Sequence, residues 1–197
     1  TQKWTLFPYT TLFRSYLLNL YENMEKDYMS NNEGGSDGYG WATQLAMGFY
    51  KLDKYRELKD NPSEDYDSAT DTYKSDSFAL YGKTEISTSV FKVNYIYHNF
   101  AMLTDALFNA VSNSNDKNLQ YIARYITAKI SSLFNSNNYN YILTRDIQGY
   151  IDDGLIDEKL GGELEMSKKA ADHIQSRLIE IMRNTEYANE KSPQVRI

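Results

Sequence analysis

Between Glu85 and Ser112 the residues Ile86, Val90, Val93, Tyr97, Phe100, Leu107 and Val111 recur at intervals of three, four or seven. Apolar residues at that spacing share one face of an α-helix. Ile96, Leu103, Ala106 and Ala110 widen the stripe, and no proline falls between Pro62 and Pro193. A continuous helix over this stretch would be about 40 Å long. Its early part, Ser87–Tyr97, is rich in β-branched and aromatic residues, so a strand leading into a helix is the alternative.

The same period recurs on both sides. Leu17, Leu20, Tyr21, Met24 and Tyr28 define an amphipathic helix over 17–29, and Ser30–Gly40 reads as a Gly-rich loop. Trp41, Leu45, Gly48 with Phe49, Leu52 and Tyr55 predict a second helix to about Lys59, stopped by Asn61-Pro62. Residues 61–76 are polar and acidic and predict a long surface loop. After a turn at Asn113–Asp116, Leu119, Ile122, Ile126, Ile130 and Leu133 predict a helix that pairs with 85–112 as an αα-hairpin. Thr144 is the expected cap of a short helix ending near Asp153, Gly161-Gly162 an expected break, and Ala170, Ile174, Leu178 and Ile181 the core face of a last helix. The expected fold is all-α, with four to six helices packed as antiparallel αα-hairpins and a long acidic loop.

Composition excludes several classes. The 197 residues carry 21 Lys and Arg against 27 Asp and Glu, a formal net charge of −6. An acidic chain without a basic stripe is a poor match to nucleic-acid backbones or anionic membrane surfaces. No apolar run approaches the ~20 residues of a membrane span. With no cysteine, thiolate metal sites, iron–sulfur ligation and cysteine nucleophiles are excluded. Tyrosine is abundant, with 18 residues. A/T-rich codon usage explains that, and so does a Tyr-rich contact surface, since tyrosine joins rigid area to a hydroxyl.

Residues 5–15 read TLFPYTTLFRS, a string that resembles a translated sequencing-adapter artefact. Pro8 and the irregular placing of Leu6, Phe7, Leu12 and Phe13 agree with a junction, with helical patterning beginning at Tyr16. The resemblance implies that 1–15 is a non-native segment. It leaves 16–190 as a single helical domain, with the acidic loop at 61–76, and 191–197 as a frayed tail. No protein family is recognised for the remainder.

Several short strings resemble chemical motifs without their context. Gly82-Lys83-Thr84 ends like a phosphate-binding loop, yet the required earlier glycine position holds Ser77 and no apolar strand precedes it. Tyr150-Ile151-Asp152-Asp153 resembles the YxDD element of reverse transcriptases, but the further metal-binding Asp and β-rich flanks are missing, and Gly149, Gly154 and Asp157 read as a solvated helix end. A winged-helix reading of 150–156 puts five acidic residues against DNA. A calcium loop fails because Gly149 and Ile151 fall at ligand positions. The acidic residues Glu64, Asp65, Asp67 and Asp71 read as a solvated loop. Carboxylate-bridged di-iron helices need Glu three residues before each His, where Tyr95 and Ala170 stand before His98 and His173. His98 is expected to pack or hydrogen-bond, and His173 to lie on the surface. No metal site and no cofactor is expected.

The loop Glu33-Gly34-Gly35-Ser36-Asp37-Gly38-Tyr39-Gly40-Trp41 resembles the helix-entry loops of α/α-toroid glycosidases. The resemblance implies Glu33 or Asp37 as acid or base and Tyr39 with Trp41 as a sugar platform. Otherwise the loop is a connector and Trp41 a core anchor. The leading expectation is a non-enzymatic helical scaffold or protein-binding segment, the C-terminal part of a larger bacterial or phage protein, with another protein as partner through Tyr-rich faces. The alternative is a fragment of an α/α-toroid carbohydrate-active enzyme or glycan-binding protein.

Overall fold

The computed structural model describes residues 7–32, 40–62, 66–69, 72–135 and 142–185. They form six helices: α1 (Phe7–Asn32), α2 (Trp41–Asp60), α3 (Lys74–Ser112), α4 (Lys117–Asn135), α5 (Ile147–Asp152) and α6 (Glu158–Asn184). The only sheet among the described residues is a two-residue antiparallel ladder, β1 (Tyr66–Asp67) with β2 (Thr72–Tyr73), in the register Tyr66 opposite Tyr73 and Asp67 opposite Thr72. The fold is all-α.

At 39 residues, α3 is about 58 Å long and is the axis on which the others pack. Its principal neighbours are α2 and α6. Contacts between α2 and α3 run in opposite sequence directions, Trp41 meeting Tyr97 and Lys51 meeting Glu85. Those between α3 and α6 run in the same direction, Asn94 bonding Glu163 and Asp105 bonding Arg177. Hairpin pairing therefore does not describe α3 and α6, which are joined through α4 and α5 and lie parallel.

Four boundaries differ from expectation, each for a local reason. Helix α1 starts at Phe7 rather than Tyr16, because proline is tolerated in a first turn, where its missing N–H has no intrahelical partner. Helix α3 starts at Lys74 rather than Glu85, absorbing the end of the expected acidic loop and excluding a strand over 87–97. Its added turns bury Ser75 and Gly82, small residues on the face that continues through Ile86 and Val93. Helix α5 is capped by Asp146, not Thr144, since the Asp146 carboxylate accepts the Gly149 N–H at 3.0 Å. Helix α6 runs through Gly161-Gly162, started by the Asp157 carboxylate on the Leu160 N–H at 2.8 Å and held by buried Leu160 and Leu164.

The crossing of α2 and α3 depends on glycine. A Cβ at Gly82 would lie 2.9 Å from the Gly48 carbonyl oxygen and from Leu52 Cδ2, and one at Gly48 would lie 2.5 Å from Ile86 Cγ1. Gly82 thus serves close helix approach, and Gly82-Lys83-Thr84 is a mid-helix turn rather than a phosphate loop. An aromatic cluster lies farther along the same side. Tyr28, Trp41, Tyr97, Phe100 and Phe134 meet mostly edge to face at 5.0–6.3 Å between ring centres. Such pairs contribute about 0.5–1.5 kcal/mol each beyond burial.

Candidate functional site

Two regions hold the side chains with chemical potential, and they differ in character. One is a polar clamp between α2 and α5. Asp53 accepts from the Tyr150 hydroxyl at 2.5 Å and from the Arg145 guanidinium at 2.5 Å. Arg56 donates to Asp153 at 2.6 Å and lies 4.4 Å from the Tyr150 ring centre, and that ring stacks on Phe49. Lys168 reaches from α6 to the Arg145 carbonyl at 2.8 Å. Burial first, and then the Asp53 hydrogen bond and charge, push the Tyr150 hydroxyl up to about 12. A phenol so held keeps its proton and is a poor acid at neutral pH.

The YxDD resemblance resolves here into a helix terminus. Gly154, at φ +70°, closes α5 with its N–H on the Ile151 carbonyl and the Leu155 N–H on the Tyr150 carbonyl, a Schellman pattern. Asp152 and Asp153 are exposed, while Tyr150 is buried. The 150–156 stretch is thus a helix end and turn, with no strand of a winged helix.

The second region is an open groove of about 830 Å³ between α1 and α3. Leu20, Met24, Leu103 and Ala106 are partly or fully buried along it, while Tyr16, Phe91, Tyr95 and Met102 stand exposed on its walls. On α3 the lining spans Phe91 to Ala106, about 22 Å of helix. The charged lining residues are Asp27 and Lys92, paired with each other at 3.3 Å. Lys92 also lies 5.2 Å from the Tyr95 ring centre. With Asn23 and Asn99 as its neutral polar lining, the groove is therefore mainly apolar and aromatic, and locally neutral on an acidic protein.

Sequence reasoning missed this groove. The available signal was a second apolar register on α3, Phe91, Tyr95 and Met102, alongside the core stripe. A helix apolar on more than one face is either buried on both or docks something.

The residues singled out from sequence are placed as follows. Trp41 is the first residue of α2 and only 5% exposed, its ring edge-on to Tyr28 at 5.6 Å and Tyr97 at 6.3 Å. Glu33, Asp37 and Tyr39 lie outside the described residues, as do Glu64, Asp65 and Asp71. His98 is exposed on α3 rather than packed, because it sits one residue, about 100° of helix rotation, from buried Tyr97. His173 is partly exposed and pairs with Asp105 at 2.8 Å. Asp105 also accepts from Arg177 at 2.8 Å, and Arg177 in turn reaches Glu180 at 2.6 Å, which holds its guanidinium above the ordinary range. Among the described residues, no three His, Asp or Glu side chains gather as a metal site, and no helix is long and apolar enough to cross a membrane.

No family model, no curated protein and no solved structure matches the chain.

Proposed function

We propose that this chain is a non-enzymatic helical scaffold whose working surface is the α1/α3 groove, and that the groove takes an amphipathic helix from a protein partner. One observation carries the reading: four large hydrophobic side chains, Tyr16, Phe91, Tyr95 and Met102, stand exposed around a single groove with an apolar floor. Contiguous exposed apolar surface of this kind marks interaction sites on proteins, whereas isolated exposed hydrophobics do not. A trough about four turns long between two helices matches the helix-in-groove mode, with partner anchors at i, i+3, i+4 and i+7. The clamp around Tyr150 supports the non-enzymatic half, since its donors and acceptors are spent on each other.

The test is selection of amphipathic helical peptides from a display library on the intact protein, followed by binding to Phe91→Glu and Met102→Glu. Selected peptides are expected to lose affinity at least about tenfold on either variant. Unfolding free energy is expected to stay within about 0.5 kcal/mol of the parent, because both positions are exposed. Peptides indifferent to both substitutions would overturn the groove as the working surface. Turnover of a defined substrate that is lost on changing one residue would overturn the non-enzymatic reading.

A further inference from the structure

We infer that the helix occupying the α1/α3 groove is α3 of a second copy of this chain, giving a two-fold dimer; this rests on the groove being a docking surface. Three observations on the same patch point to it.

The first is shape. The patch carries both halves of a contact: Phe91, Tyr95 and Met102 protrude along α3, and the trough they border has Leu20, Met24 and Ala106 along it. A surface holding its own knobs and its own holes is self-complementary, which is what a two-fold interface requires, residue i meeting j and j meeting i.

The second is charge. Two copies at net −6 repel over most of their surfaces. The lining of the groove carries one carboxylate and one ammonium, Asp27 and Lys92, already paired. Copies that meet there bring no net charge together.

The third is area. Tyr16 is 58% exposed, Phe91 78%, Tyr95 51% and Met102 59%. At about 200 Å² for a large side chain, these four expose roughly 500 Å². Doubled by the two-fold, that is about 1,000 Å² before any smaller residue is counted, which reaches the size of a specific interface. An interface at this lower bound implies a micromolar monomer–dimer equilibrium rather than a permanent dimer.

The lining of α3 runs from Phe91 to Ala106, so its midpoint lies at His98 and Asn99. If α3 crosses its copy antiparallel, the two-fold axis passes between His98 and Asn99, so that Tyr95 of one copy faces Met102 of the other and Phe91 faces Ala106. The absence of native cysteine makes a single introduced thiol a clean reporter.

Sedimentation velocity between ~1 and ~200 µM should show the mass rising from monomer to dimer. Phe91→Glu should raise the dissociation constant at least about tenfold. Under mild oxidation, Asn99→Cys should link to itself. Tyr95→Cys alone should link poorly, but should link well to Met102→Cys when the two are mixed. A protein that stays monomeric throughout that range with no Asn99→Cys link overturns the dimer. So does a dimer unaffected by Phe91→Glu whose thiols link at random. Groove-directed peptides that bind such a monomer would leave the docking surface standing with a different occupant. If those peptides also ignore Phe91, the docking surface fails as well.

Discussion

The two sides of α3 have been built to opposite standards. Toward α2 the contact is close: Gly48 and Gly82 bring the two backbones together, and on the far flank of α2 the Asp53, Tyr150 and Arg145 side chains satisfy one another. Toward α1 the helices part, a groove opens, and Phe91, Tyr95 and Met102 face solvent. Close packing at the density of protein interiors fixes one structure and leaves no room for a ligand. A contiguous exposed apolar patch adds nothing to the monomer's stability and marks a surface that meets something else. The difference assigns stability to one side and recognition to the other, and substitutions on the two sides should separate those properties.

The largest effect is expected at the glycine crossing. Gly82→Val places a branched side chain where even a Cβ would lie 2.9 Å from the Gly48 carbonyl oxygen, a backbone atom that cannot swing away. Overpacking of this kind costs about 3 kcal/mol, against which the helix-propensity gain over glycine is well under 1 kcal/mol. Urea unfolding should show a lower midpoint at unchanged slope. Gly162→Ala, in the exposed part of α6 with nothing within 4 Å, is the matched control and should stabilise by about 0.5–1 kcal/mol. Equal responses at the two glycines would mean that α2 and α3 do not pack closely there.

A middle-sized effect is expected at the clamp. Tyr150→Phe keeps the stack on Phe49 but removes the donor to Asp53, which leaves that carboxylate to Arg145 alone. The loss should be about 1–3 kcal/mol. The pH dependence has a definite sign. The folded-state value of Tyr150 is raised from 10.0 to about 12, so its contribution is complete below pH 10 and is lost as pH rises through about 12. Unfolding free energy measured from neutral to alkaline pH should fall more steeply in the parent than in Tyr150→Phe. Parallel profiles would detach Tyr150 from Asp53.

What was legible beforehand follows from what hydropathy can report. The core stripe Ile86–Val111 was readable because large apolar residues repeat on one face, and the bounds of α2 were readable because Asn61-Pro62 stops a helix. The first turns of α3 were not, because they pack with Ser75 and Gly82, whose contribution is the absence of bulk. The passage of α6 through Gly161-Gly162 was hidden for a related reason: an aspartate cap and two leucines outweigh glycine's unfavourable propensity. The clamp joins residues about ninety positions apart, Asp53 to Arg145 and Tyr150, a proximity that spacing cannot reveal. The groove was least legible. Phe91, Tyr95 and Met102 look like core residues in sequence, and only the placement of α1, α2 and α6 around α3 shows which apolar face is left uncovered.

The smallest effect is expected where α1 meets the start of α4, on the open side. Asp116 accepts the Asn118 N–H at 2.9 Å, and Arg14 pairs with it at 2.5 Å across 102 positions. Burial alone would push the Asp116 carboxyl up, but the Arg14 guanidinium and the backbone N–H groups of Asn118 and Leu119 overcome that and hold it below its usual value. A lowered carboxylate contributes stability above its unfolded-state value, and that stability is lost as pH falls through the folded-state value. Arg14→Ala should therefore cost only about 0.2–1 kcal/mol at neutral pH, the usual worth of a partly exposed pair, and should flatten the acid limb of the stability profile. Asp116→Ala should cost more, because it also removes the cap on α4. The comparison breaks if Arg14→Ala proves as damaging as Tyr150→Phe, for the α1 side would then be held as firmly as the clamp. If Arg14→Ala is as mild as expected, α1 is held by its buried Leu17, Tyr21 and Tyr28 rather than by this pair, and its open flank is left free to adjust to the helix that enters the groove.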